Sequence, residues 1–252
     1  MKSKAILFGI NYLNSPLPVR LNGCVNDVHN MSTFLKEDGG FDVVRTYTDE
    51  NNSNKVTGQS IVNSIYKLAI DSHRYNLDKV WIHYSGHGCM INDQNGDESD
   101  NKDECIVPAD YYRGGVITDD LIKRVLRYFN TKTKITCVFD CCHSGTIGDL
   151  TYVYRIPSIC LMKENLHSKR CLSNVLLLSG CMDHQTSADA WNVQGKKQFS
   201  GAMTSCLLIS MKESSKVFEV FEKLKKLLQQ KSFTQIPLLT SSYKIDWKTT
   251  LF

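Results

Sequence analysis

No C-x-x-C spacing occurs anywhere in this chain, and no H-E-x-x-H. Their absence removes the usual signatures of a thioredoxin-like redox pair and of a zinc peptidase helix. No Arg closes the turn after the cysteine pair in "DCCHSGTIG" (140–148), so a phosphate-cradling cysteine phosphatase loop is excluded as well. Long basic blocks are missing. With a net charge of only +4, the chain is not expected to bind nucleic acid. The N-terminal apolar run "AILFGI" (5–10) is too short for a signal-peptide core or a membrane span. The expected setting is therefore cytoplasmic, with no membrane contact, and the ten cysteines are read as reduced thiols rather than a disulfide framework. Internal repeats and low-complexity tails are also lacking.

What is present is an ordinary globular composition, 252 residues with 42% apolar content, enough for one large domain. Short apolar runs recur at 5–10, 43–47, 80–84, 135–139 and 175–179. They are continuous rather than alternating, the pattern of strands buried on both faces. Between them lie helical faces: Val25, Val28, Met31 and Leu35; Ile61, Ile65, Leu68 and Ala69; Leu121, Ile122, Val125 and Phe129; and a last amphipathic helix near 216–230. Alternating strands and helices predict an α/β three-layer sandwich, a mostly parallel central sheet with helices on both faces. Residues 92–104, 151–172 and 183–200 read as loops.

Chemistry in such sheets gathers beyond the carboxyl ends of the strands. Two motifs fall there, "HYSGHG" (83–88) and "DCCHSG" (140–145). A thiol past a strand end, before a Ser-Gly turn, has free backbone N–H groups around it. A His between glycines can approach it closely. Together they point to nucleophilic catalysis by a thiolate with a nearby base. Residue types alone do not choose between Cys141 and Cys142. The bland alternative is a structural thiol and a turn histidine.

The two motifs resemble the catalytic motifs of the metacaspases, cysteine peptidases with a caspase-like fold. Further segments resemble that family in the same order: "LNGCVNDVHNM" (21–31), "DECIVPAD" (103–110), "ITDDL" (117–121), "LLLSGCMDHQTSAD" (176–189), "SGAMTSCLL" (200–208) and "QIPLLTSS" (235–242). The resemblance implies that Cys142 is the nucleophile, His87 the base, and the Gly88 and Cys142 N–H groups the oxyanion donors. It implies cleavage after Arg or Lys in a pocket built from Cys24, Asp27, Ser85 and Asp140. Without the family, Asp27 would be read as a helix N-terminal acid and Asp140 as a strand-end acid. It further implies calcium as an activator, held by Asp103, Asp119, Asp120 and Asp149, although Asp119 and Asp120 also suit a helix start after Thr118.

The family's longer N-terminal prodomain has no counterpart, since the first strand starts by residue 5, so a minimal protease core is expected. A single peptidase domain over 1–252 follows, with a large subregion about 1–155, a connector about 156–172 and a small subregion about 173–252. Arg155, Lys163, Lys169 and Arg170 in the connector are conceivable self-cleavage sites. The expected partners are protein or peptide substrates with a basic residue before the cleaved bond, and the expected state is a monomer. Two rivals stay open: a weak pseudo-protease that binds peptides through the same pocket, and a calcium-responsive regulatory protein.

Overall fold

The computed structural model describes residues 2–51, 53–93, 101–142, 150–156, 159–162, 174–180, 189–191 and 199–252. In chain order they form β1 (Ser3–Gly9), α1 (Cys24–Glu37), β2 (Val43–Thr48), α2 (Gly58–Arg74), β3 (Lys79–Ser85), β4 (Gly88–Asn92), β5 (Lys102–Ile106), α3 (Tyr111–Gly114), β6 (Ile117–Thr118), α4 (Asp119–Leu126) and β7 (Lys134–Asp140). There follow β8 (Tyr152–Ile156), β9 (Ile159–Met162), β10 (Asn174–Ser179), β11 (Asp189–Trp191), β12 (Phe199–Gly201), α5 (Ala202–Met211), α6 (Val217–Gln230) and β13 (Leu238–Ser241). Among the described residues no helix is long and apolar enough to cross a membrane.

The main sheet runs β2-β1-β3-β7-β10-β13-β8-β9. The first five strands are parallel, and the last three join antiparallel. The continuous apolar runs have a simple cause: successive side chains go to opposite faces and both faces are covered. On one side Ile6, Phe8, Ile82, Ile135 and Leu177 pack with α2 and α4. On the other, Leu7, Trp81, Val138 and Leu176 pack with α1, α5 and α6. Thr57 and Thr118 start α2 and α4, each accepting a backbone N–H three residues on, at 3.3 Å.

Three segments differ from the loops expected of them. Within 92–104, β5 begins at Lys102 and pairs antiparallel with β4. Residues 151–172 include β8 and β9, which extend the main sheet. Within 183–200 lie β11 and the start of β12, paired with each other. Their apolar patterns are too short or too mixed to stand out in sequence, and each strand is fixed by its partner rather than by its own residues. Asp149, Lys163, Lys169 and Arg170 lie outside the described residues, as does the side chain of Arg155.

Candidate active site

β3 and β7 are neighbours, with Ser85 opposite Asp140, so the segments beyond them leave the sheet side by side. Their backbones touch. A Cβ on Gly88 would sit 1.9 Å from the Cys142 carbonyl oxygen, so only glycine allows the approach. Alternation along β7 sends Cys141 into the α2–α4 core, where it is 0% exposed. Cys142, one residue on, is partly exposed. Of the two thiols left open by residue type, Cys142 is the accessible one. His143 lies outside the described residues.

His87 stands between β3 and β4. Its Nε2 is 2.7 Å from the Val19 carbonyl oxygen. A carbonyl only accepts, so Nε2 carries the hydrogen and Nδ1 is left as the basic nitrogen. The Val19 contact had no sequence signal, because a backbone carbonyl belongs to every residue type. The ladder between β4 and β5 also orients Gly88. Val107 N–H donates to His87 O and Asp93 N–H to Asn101 O, each at 3.0 Å. Those pairs set the alternation, and Gly88 falls on a pair that does not exchange hydrogen bonds, so its N–H points away from β5.

His83, the first residue of the same motif, is separate from this site. It points into the core, 0% exposed, and neither ring nitrogen has a hydrogen-bond partner among the described residues. Burial pushes it down to about 3, so it stays neutral.

Of the four pocket residues expected from the resemblance, Asp27 and Asp140 meet the start of α5 directly and Ser85 reaches it through Asp27. Asp27 is in the first turn of α1 and Cys24 one turn before it, at the head of that helix. Ser85 Oγ donates to Asp27 Oδ2 at 2.7 Å. Gly201 N–H donates to both Asp27 oxygens, at 2.9 and 3.0 Å. Thr204 donates to Asp140 Oδ2 through its N–H at 2.9 Å and its hydroxyl at 2.8 Å. A Cβ on Gly201 would lie 2.2 Å from Asp140 Oδ2 and 2.7 Å from Asp27 Oδ2, so the two carboxylates meet at one point. Both are deeply buried, at 0% and 3% exposure. The start of α5 has no side-chain cap of its own; these acids accept its N–H groups, where the helix dipole favours negative charge.

The expected calcium carboxylates are brought together in part. Asp103 on β5 and Asp119 at the head of α4 are both buried. Both stand near the Cys105 thiol, which is pushed up by its hydrogen bond with Cys89, then by burial, and then by the charges of Cys89, Asp119 and Asp103. Asp120 follows, its N–H donating to Asp119 Oδ1 at 2.9 Å. Asp149 lies outside the described residues, among which no group of three or more His, Cys, Asp or Glu could hold a metal ion. Cys89 faces Cys105 across β4 and β5, and the hydrogen bond from Cys105 draws the Cys89 thiol down to about 7. Composition alone did not reveal this thiol. A groove of about 720 Å³ between α6 and residues 232–237 is lined by none of the expected site residues.

The chain is similar to known proteins over nearly its whole length. The model of the metacaspase peptidase C14 domain matches residues 3–151. Metacaspase-2 of Trypanosoma brucei brucei is 33% identical over 98% of this chain and 75% of its own length. Metacaspase-1B of Neurospora crassa is 31% identical over 97% of this chain and 68% of its own. Among solved structures, caspase-1 of Spodoptera frugiperda superposes with a TM-score of 0.62 at 11% identity, covering 96% of this chain and 86% of that one. A protein of Geobacter sulfurreducens reaches 0.65 at 23% identity, over 98% and 95%. The fold is caspase-like, and the chain belongs to the metacaspases, a family of cysteine peptidases.

Proposed function

We propose that this metacaspase is an endopeptidase that cleaves after Arg or Lys, with Cys142 as nucleophile and His87 as base. The observation that carries this reading is the contact between the two strand ends: Gly88 against the Cys142 backbone, one residue from an imidazole anchored on Val19. With Nε2–H held by that carbonyl, Nδ1 takes the thiol proton. The thiolate attacks the substrate carbonyl. The N–H groups of Gly88 and Cys142 stabilise the oxyanion. His87 then returns its proton to the departing amine, and water activated by the same nitrogen releases the acyl group.

The preference for a basic residue rests on the buried Asp27 and Asp140, whose negative charges converge and favour a cation in their pocket. The state proposed is the monomer expected from the resemblance; β13 is flanked by β8 and is not itself an edge strand. For calcium, the donor chemistry of Asp103, Asp119, Asp120 and Asp149 fits a hard cation that takes oxygen ligands. An ion held by Asp103 and Asp119 would offset their mutual repulsion beside β5, which pairs with the strand that begins at Gly88.

A fluorogenic Arg peptide assayed in calcium and in chelator tests the reading. Hydrolysis lost in Cys142→Ala, and faster in calcium than in chelator, is expected. Hydrolysis that survives Cys142→Ala overturns the nucleophile. Equal rates in calcium and chelator remove the calcium role alone.

A further inference from the structure

Tyr12 was absorbed by no motif, yet it has an unusual place. Its backbone is left-handed, with φ +57°, a conformation bulky residues rarely adopt and one that tends to mark functional sites. The residue is 1% exposed, and its ring packs on the His87 imidazole with centroids 4.6 Å apart at 36°.

The hydroxyl is more specific. His87 and Val107 stand one position beyond Gly88–Ile106, the last pair of the β4–β5 ladder, and Val107 N–H makes its bond to His87 O. The reciprocal bond is missing. Instead His87 N–H donates to Tyr12 Oη at 2.7 Å, and Tyr12 O–H donates to Val107 O at 2.7 Å. The phenol is inserted where the ladder would have closed. Tyr84 Oη, 3.1 Å from Tyr12 Oη, reaches Val107 O at 2.8 Å and His87 O at 2.9 Å. The His87 peptide is thus gripped on its N–H by one phenol and on its C=O by the other. Burial lifts both phenols well above their ordinary range, so both remain protonated donors.

We propose that Tyr12 is a positioning residue for His87: its hydroxyl holds the histidine backbone off the hairpin while its ring fixes the plane of the imidazole. This rests on the reading of His87 as base. A buried tyrosine that only packed would not need an oxygen between two ladder partners, nor a left-handed backbone to bring it there. Tyr12 does not touch the reacting atoms, so its loss affects the rate through the aim of Nδ1.

Tyr12→Phe removes one oxygen and keeps the ring. The expected result is kcat lowered by about tenfold to a hundredfold with KM unchanged. Alkylation of Cys142 by iodoacetamide should need a higher pH, because a misaimed imidazole supports the thiolate less well. Tyr154→Phe loses an equally buried hydroxyl, which accepts the Ile245 N–H at 2.8 Å and is no part of the His87 surroundings described above. It calibrates the folding cost and should lower the melting temperature comparably with a smaller change in kcat. If Tyr12→Phe lowers only the melting temperature, with wild-type kcat and alkylation profile, the positioning role is overturned. His87→Ala, run alongside, separates the two claims: if it retains activity, the reading of His87 fails, whatever Tyr12 does.

Discussion

The ends of β3 and β7 are adjacent in the sheet and held by opposite means. Beyond β3, His87 is fixed by neutral groups: the Val19 carbonyl and the phenols of Tyr12 and Tyr84. At β7, Asp140 is fixed by charge against dipole, with Asp27 beside it at the head of α5. A base must present one ring nitrogen to its partner, and neutral hydrogen-bonding groups fix the direction of the ring and its backbone. A pocket for a cation needs charges that survive burial, and a helix N-terminus supplies N–H donors to hold them.

Removing the two groups proposed to react should give the largest effect. Cys142→Ala and His87→Ala are each expected to lower kcat/KM for an Arg peptide by at least about a thousandfold, measured by steady-state hydrolysis. Cys141→Ala should leave hydrolysis largely intact, since its side chain faces the α2–α4 core.

Neutralising the β7 side should be smaller and selective. Asp140→Asn and Asp27→Asn are each expected to depress cleavage after Arg by about thirtyfold to several thousandfold, the cost of removing one partner of a desolvated charge contact. Both acids also accept N–H groups of α5, so some stability will be lost too. The informative readout is the ratio of rates for Arg against an uncharged residue in otherwise identical peptides. If that ratio is unchanged, these acids serve only the helix.

A still smaller effect concerns stability on β3. His83 is neutral when folded, with its value near 3, and titrates near 6.5 when unfolded. The unfolded chain therefore binds the extra proton. The contribution of this group is fully present above about 6.5 and declines as the pH falls toward 3, by about 1.4 kcal/mol per unit. Urea unfolding at pH 7.5 and pH 5 should show a loss of about 2 kcal/mol from this source. His83→Leu should flatten that slope, whatever its own stability at pH 7.5.

The smallest effect is a side reaction. Cys89, drawn down to about 7 and half-buried, should be alkylated by iodoacetamide at pH 7.5 even in Cys142→Ala, as seen by peptide mass mapping. Cys105→Ser should slow it, because the hydrogen bond that lowers Cys89 is weakened.

The same contrast explains what could be read in advance. The parallel strands were legible because burial on both faces writes unbroken apolar runs such as "VWIHY". Amphipathic α1, α2, α4 and α6 were legible from one-sided spacing. Helix α5, "AMTSCLLISM", was not assigned from spacing, because it is buried all round and has no polar face to set a period. The antiparallel additions β5, β8, β9 and β11 escaped notice because pairing, not composition, defines them. At the site, His87 and Cys142 stand out in the sequence by their strand-end motifs, and Asp27 and Asp140 only through the family resemblance; these are the residues the proposed reading uses. The supports of the site were not legible. Val19 contributes a carbonyl, Gly201 a close approach, and Tyr12 a hydroxyl from a segment that reads as an ordinary strand exit.

The most direct test of the Cys142–His87 assignment is covalent capture with a peptide ending in Arg and bearing a thiol-reactive group at the scissile position. After digestion, the adduct should map to Cys142, form slowly in His87→Ala, and be blocked by excess Arg peptide but not by an Asp peptide. An adduct on Cys141 or Cys89 instead, or one formed equally well in His87→Ala, would contradict the assignment.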